Sequence, residues 1–163
     1  MLRAMPNMHV YRPADGNEVR GGRLHLHRRQ EEVHRTPPPP AQVSAAYASA
    51  LLHPHTPAIM ALSRQNVPQL PSSSIEKALK GGYVAFDSAD ATAGVPEAVP
   101  AGAPAPALVV VATGTEVSIA IEGAKAIAAA AGVRVQVASL PCIEVFDAQP
   151  LEYRCEGEGE AWL

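Results

Sequence analysis

Short apolar runs alternate with helically spaced apolar stripes along this chain, and their order predicts its elements. Residues 9–12, HVYR, read as a short strand, closed by Pro13 and the turn residues Asp15-Gly16-Asn17. After a polar interval, Ser44 is placed to cap a helix over 44–53 with Ala45, Tyr47 or Ala48, and Leu51-Leu52 on its apolar face. Residues 57–62, PAIMAL, read as a buried strand, with SRQNVPQL as the loop at its C-terminal end. Ser72-Ser73-Ser74 and Glu76 open a helical turn that Gly81-Gly82 ends, and residues 83–86 form another short strand.

The clearest local signal lies between residues 107 and 140. ALVVVAT is a continuous apolar, β-branched run, the pattern of a parallel strand buried on both faces. Thr113-Gly114-Thr115 turns the chain, and Thr115 is placed to cap a helix over 116–131. Its stripe is Val117, Ile121, Ala124 and Ile127-Ala128, and Gly132 stands where a C′ glycine belongs. VRVQVASL is the returning strand, which completes a βαβ unit.

Composition narrows the function classes. Hydrophobic residues make up 47% of the chain, but many are alanines, which bury little area each, so a large core is not expected. The net charge of −3 gives no overall case for nucleic acid or an anionic membrane. No apolar run approaches the roughly 20 residues that span a bilayer. The N-terminus lacks a continuous apolar signal core, so secretion is not expected. Cys142 and Cys155 make neither a disulfide framework nor a zinc spacing, and Cys142 reads as a buried structural thiol. Gly114 is not followed by a GxGxxG pattern, which argues against a Rossmann site.

Two segments differ in kind from the rest. Residues 20–42 carry five Arg against two Glu, three His, and then Pro37 to Pro40, with no helical or strand period. His25, His27 and His34 lack the acidic or thiol partners of a metal site. The basic stretch and polyproline run also admit a docking peptide, but solvated, unselected sequence is the preferred reading. Residues 87–106, rich in Ala, Pro and Gly, read as an interdomain linker, and residues 155–163 as an unstructured acidic tail.

RAMPNMHVYRPADGNEV at 3–19, ALSRQNVPQLPSSSIEKALKGGYV at 61–84, and the block from Val109 to Arg154 ending FDAQPLEYR together resemble the transketolase family. The resemblance implies an α/β fold. Residues 1–86 would be the C-terminal part of a parallel-sheet, pyrimidine-binding domain of the thiamine-diphosphate type. Residues 107–154 would start the C-terminal domain with a partial βαβ unit. In such relatives GNEV runs straight into SAAY, so residues 20–42 stand as an insertion. Codons for Val19-Arg20 and Gln42 can match intron borders, so a retained intron is one reading, and the tail after Arg154 admits the same origin.

The family moves a two-carbon ketol unit from a ketose phosphate to an aldose phosphate, in the pentose phosphate pathway and in reductive carbon fixation. It uses thiamine diphosphate with Mg2+ or Ca2+, acts as a homodimer, and occurs in cytosol and plastids. One family role lands on this chain: the SRQN arginine that contacts the sugar phosphate corresponds to Arg64. A guanidinium fork suits phosphate oxygens, and a loop at a strand's C-terminal end suits ligand binding. The family's GDG segment, catalytic glutamate and substrate-channel histidines find no counterpart here. The expectation is a partial transketolase that is inactive alone. The alternative is a non-catalytic piece that docks on full-length transketolase, or an inert mis-spliced product.

Overall fold

The computed structural model describes residues 5–15, 41–89 and 105–155. Two small sheets and the helices around them make up this part of the chain. Strand β1 (His9–Tyr11) and strand β2 (Ala58–Met60) are parallel neighbours, with Tyr11 opposite Met60. Helix α1 (Ala41–Leu52) lies between them in sequence, as a parallel pair requires of its crossover. Helix α2 (Ile75–Leu79) starts at Ser74, whose hydroxyl accepts a hydrogen bond from the Lys77 N–H at 3.1 Å. Gly81, at φ +84°, ends it.

The second sheet has the order β3-β5-β4, formed by β3 (Tyr83–Asp87), β4 (Leu108–Ala112) and β5 (Val135–Ser139). Strand β4 runs parallel to β5 across helix α3 (Glu116–Ala131), so the expected βαβ unit is present. Strand β3 pairs antiparallel with the other edge of β5, with a register shift between Val84 and Phe86. Two short helices that the sequence pattern did not reveal, α4 (Ile143–Asp147) and α5 (Leu151–Cys155), follow β5.

Several sequence expectations are corrected here. Strand β3 was expected to close the first unit at residue 86, with a linker from 87. It instead belongs to the sheet of β4 and β5, and Asp87 is its last, fully buried residue. The expected break therefore falls inside a paired strand. The remainder of the 87–106 stretch lies mostly outside the described residues, as do 16–40 and the tail beyond 155. Ala41 and Gln42, assigned to the insertion, already belong to α1, so Ser44 sits within the helix rather than at its cap.

Burial also differs from the pattern. Among the described residues β4 pairs with β5 alone and Val111 is 53% exposed, while central β5 is buried throughout. Helix α1 buries Ala45, Ala46 and Ser49 and leaves Tyr47, Leu51 and Leu52 exposed, because its small-residue face is the one that joins the buried clusters of Ala78 and Tyr11. Helix α3 follows expectation at Val117 and Ala124, but Ile127 stays exposed. Thr115 occupies its N-cap with helical angles (φ −63°, ψ −20°), and its hydroxyl makes no capping bond.

The core is assembled from small clusters, and all three mix the expected units. One packs Ala14 and Ala45 with Leu70, Ala78, Tyr83, Ala85 and Val117. Another packs Tyr11 and Ala46 against Cys142 and Val145. A third, Phe86 with Ala124, Val135 and Val137, seals α3 onto its own sheet. The first and last thirds of the chain therefore bury apolar surface against each other.

Candidate functional site

Parallel pairing puts the C-terminal ends of β1 and β2 on one edge of their sheet, and the chain leaves both strands there. Beyond β2, the Ala61 N–H still donates to the Tyr11 carbonyl at 2.8 Å, so the pairing extends one residue before the loop starts. The Ser63 hydroxyl then donates to the Gln65 carbonyl at 3.3 Å and bends the backbone around Arg64. Arg64 itself is exposed, as are its neighbours Gln65 and Asn66. A guanidinium in this position meets a diffusing anion without first being desolvated.

Arg12 leaves β1 from the same edge, and sequence reasoning did not single it out. Its backbone N–H donates to the Pro141 carbonyl at 2.7 Å, and its carbonyl accepts from the Gly114 N–H at 3.0 Å. Its guanidinium donates to both carboxylate oxygens of Glu116, at 3.0 and 3.2 Å. Glu116 is held below the usual carboxylate range, first by its own backbone N–H at the start of α3 and then by Arg12. Arg12 thus ties the end of β1 to the β4–α3 turn and to the end of β5. Arg12, Gly114 and Pro141 lie in text singled out on other grounds, but nothing local in that text signals their contact across a hundred residues or more.

The most enclosed charge pair lies at the opposite side of the second sheet. Arg134 Nη2 donates to Asp87 Oδ2 at 2.7 Å, and Arg134 Nε lies 3.1 and 3.2 Å from the two Asp87 oxygens. Gln136 Nε2 and the Ala89 N–H complete the cage at 2.8 Å each. Burial alone would push this carboxyl up, but the bonds from Arg134, Ala89 and Gln136 outweigh it and hold the group below its ordinary value. Both side chains are almost wholly closed to solvent, which suits a structural joint rather than a ligand site.

Cys142 is fully buried, and its thiol donates to Glu144 Oε2 at 3.3 Å. Burial pushes that thiol up to about 12, so it stays protonated and is no nucleophile. Asp147 lies 3.9 Å from Arg154 on the surface, and Glu152 is exposed. Among the described residues no group of three His, Cys, Asp or Glu side chains is placed to hold a metal ion. No helix among the described residues is long and apolar enough to cross a membrane.

Comparison with known proteins gives this geometry its context. Residues 98–157 match the family model described as the transketolase-like TK C-terminal domain. Transketolase 1 of Saccharomyces cerevisiae is 44% identical over 153 residues, which is 94% of this chain and 17% of that protein. The chloroplastic transketolase of Solanum tuberosum is 36% identical over 153 residues, again 94% of this chain and 16% of its own length. A crystal structure of a Pichia stipitis transketolase variant in complex with fructose-6-phosphate superposes with a TM-score of 0.66 at 38% identity. That match covers 96% of this chain and 17% of the other. The chain thus spans about one sixth of the length of these relatives. On sequence identity over most of its length and a shared α/β arrangement, this chain belongs to the transketolase family.

Proposed function

We propose that this chain is part of a transketolase, which transfers a two-carbon ketol unit from a ketose phosphate to an aldose phosphate, and that Arg64 contributes a contact to the substrate phosphate. The observation that carries the assignment is the exposed position of Arg64 on the loop leaving the C-terminal end of β2. Ligands of α/β sheets bind at that end, and a charged fork there recognises phosphate oxygens. The Pichia stipitis relative, crystallised with a phosphorylated sugar, supports the substrate class.

In this reading the full-length enzyme is a homodimer that uses thiamine diphosphate with Mg2+ or Ca2+ and works in the cytosol or a plastid. No residue of this chain is assigned to the cofactor or metal. The 163-residue chain by itself is accordingly expected to be inactive. The residues present supply phosphate recognition (Arg64) and a rigid edge to present it, held by the Arg12 contacts to Gly114 and Pro141.

The test is Arg64→Ala in the corresponding full-length enzyme, assayed with phosphorylated and unphosphorylated sugars. Losing a charge-assisted hydrogen bond costs about 1.5–3 kcal/mol. That corresponds to a rise in KM of roughly 10- to 150-fold for the phosphorylated substrates. An unchanged KM for phosphorylated sugars would overturn the assignment.

A second reading is favoured by the exposed Tyr47, Leu51 and Leu52 of α1. There the chain is non-catalytic and docks through that face on a longer transketolase chain. Co-purification of the 163-residue chain with full-length transketolase, abolished by Leu51→Glu, would support it; independent migration of the two would reject it.

A further inference from the structure

The joint between β1 and α1 contains two imidazoles and a phenol whose contacts have no part in the proposed phosphate site. His9 on β1 and His53 just beyond α1 meet edge to face, with ring centroids 5.3 Å apart. The Tyr11 hydroxyl donates to Ser49 Oγ at 2.7 Å in a buried contact, and it lies 3.3 Å from His9 Nδ1. The Ser49 carbonyl in turn accepts from His53 Nδ1 at 2.8 Å and from the His53 backbone N–H at 3.1 Å. Ser49 thus carries a side-chain hydrogen bond that ties the last turn of α1 to β1, and both imidazoles lie beside it.

We propose that this cluster is an acid-sensitive latch, in which protonation of His9 beside His53 loosens the C-terminal turn of α1 from β1. The hydrogen-bond directions are compatible with neutral and charged rings alike, so the effect comes from charge. Two imidazolium rings at this separation repel each other, and His9 is only half open to the water that would screen them. From α4, the Glu144 carboxylate opposes the effect by attracting a charged His9, but it is already engaged by the Val10 N–H and the Cys142 thiol, each at 3.3 Å. From β2, the residue opposite His9 is the uncharged Ala58. Tyr11 and Cys142 both titrate above their ordinary values, so neither changes charge between pH 5 and 8.

The balance falls against the charged ring. Desolvation first, and then His53, hold His9 below its ordinary value of 6.5, with Glu144 acting in the other direction. The folded chain then binds fewer protons than the unfolded chain as pH falls below 6.5, and acid weakens the joint. The site of weakening is set by geometry: the Tyr11–Ser49 bond joins β1 to the last turn of α1 beside both imidazoles.

The test uses the whole 163-residue chain, with histidine ring resonances followed by NMR from pH 8 to 5 and amide-exchange protection factors measured across α1. The expected result is a His9 midpoint below 6.5 that moves upward in His53→Gln. Protection of the residues around Ser49 should fall on acidification in the native chain and hold in His9→Gln. A His9 midpoint at or above 6.5 would overturn the proposal. So would protection around Ser49 that is the same at both ends of the range, or that falls equally in His9→Gln. If either variant does not fold, the midpoint and protection profile of the native chain still decide.

Discussion

Asp87→Ala removes the counter-charge of a guanidinium that the fold has closed off from water. Arg134 and Asp87 are 4% and 0% exposed at their side chains, so solvent cannot take over the lost contact. Three Arg134–Asp87 contacts of 3.2 Å or less disappear, together with the bonds from Gln136 and the Ala89 N–H. Breaking a buried pair from one side costs about 3–5 kcal/mol, because the surviving charge stays buried. Against a typical domain stability of about 5–15 kcal/mol, that is a large share. The two partners are not equivalent. An arginine cannot shed its proton, whereas a stranded carboxylate can take one up. Asp87→Ala should therefore cost more than Arg134→Met, and the double variant should recover part of the loss. Urea unfolding followed by circular dichroism, with extrapolation to water, gives each value. A cost of about 1 kcal/mol or less, or a double variant as unstable as Asp87→Ala, would refute the reasoning. Acid provides an independent check. Because the folded carboxyl lies below its unfolded value of 3.8, its contribution is present above that value. It is lost as pH falls through the folded value, and Asp87→Asn should flatten that part of the stability curve.

Other expectations follow from single positions. Gly81→Ala should destabilise by about 1–3 kcal/mol, because φ is +84° and a Cβ would sit 2.4 Å from the Phe146 backbone nitrogen. Gly132→Ala, at φ +65° with nothing within 4 Å, should cost about 1 kcal/mol; equal losses for the two in urea unfolding would contradict the packing argument. The Cys142 thiol should resist aromatic disulfide reagents at pH 8 until urea unfolds the chain, since it is buried and titrates at about 12; prompt labelling of the native protein at that residue, identified by mass spectrometry, would contradict it. Ser74→Ala should cost about 0.5–2 kcal/mol by stripping the cap from α2, measured in the same unfolding assay.

The sequence by itself determined the order and type of the main elements. The apolar run at 107–113, the stripe from Val117 to Ala128 and the glycine at 132 give β4, α3 and β5 almost to the residue. These signals are local: β-branched runs, a helical period and a left-handed cap act within a turn or two of chain. Local text also marked Arg64, through the SRQN motif and its place beyond a strand end. What lies between residues far apart was decided only by the tertiary structure. Periodicity shows which residues share a face, but not which face finds a neighbour. So α1 buries Ala45, Ala46 and Ser49 while Tyr47, Leu51 and Leu52 face outward. Likewise nothing near Asp87 announces Arg134, forty-seven residues away, or the pairing of β3 with β5 that brings them together. Charges so distant in sequence meet only when strand register has been fixed, and register is set by the packing of the whole sheet.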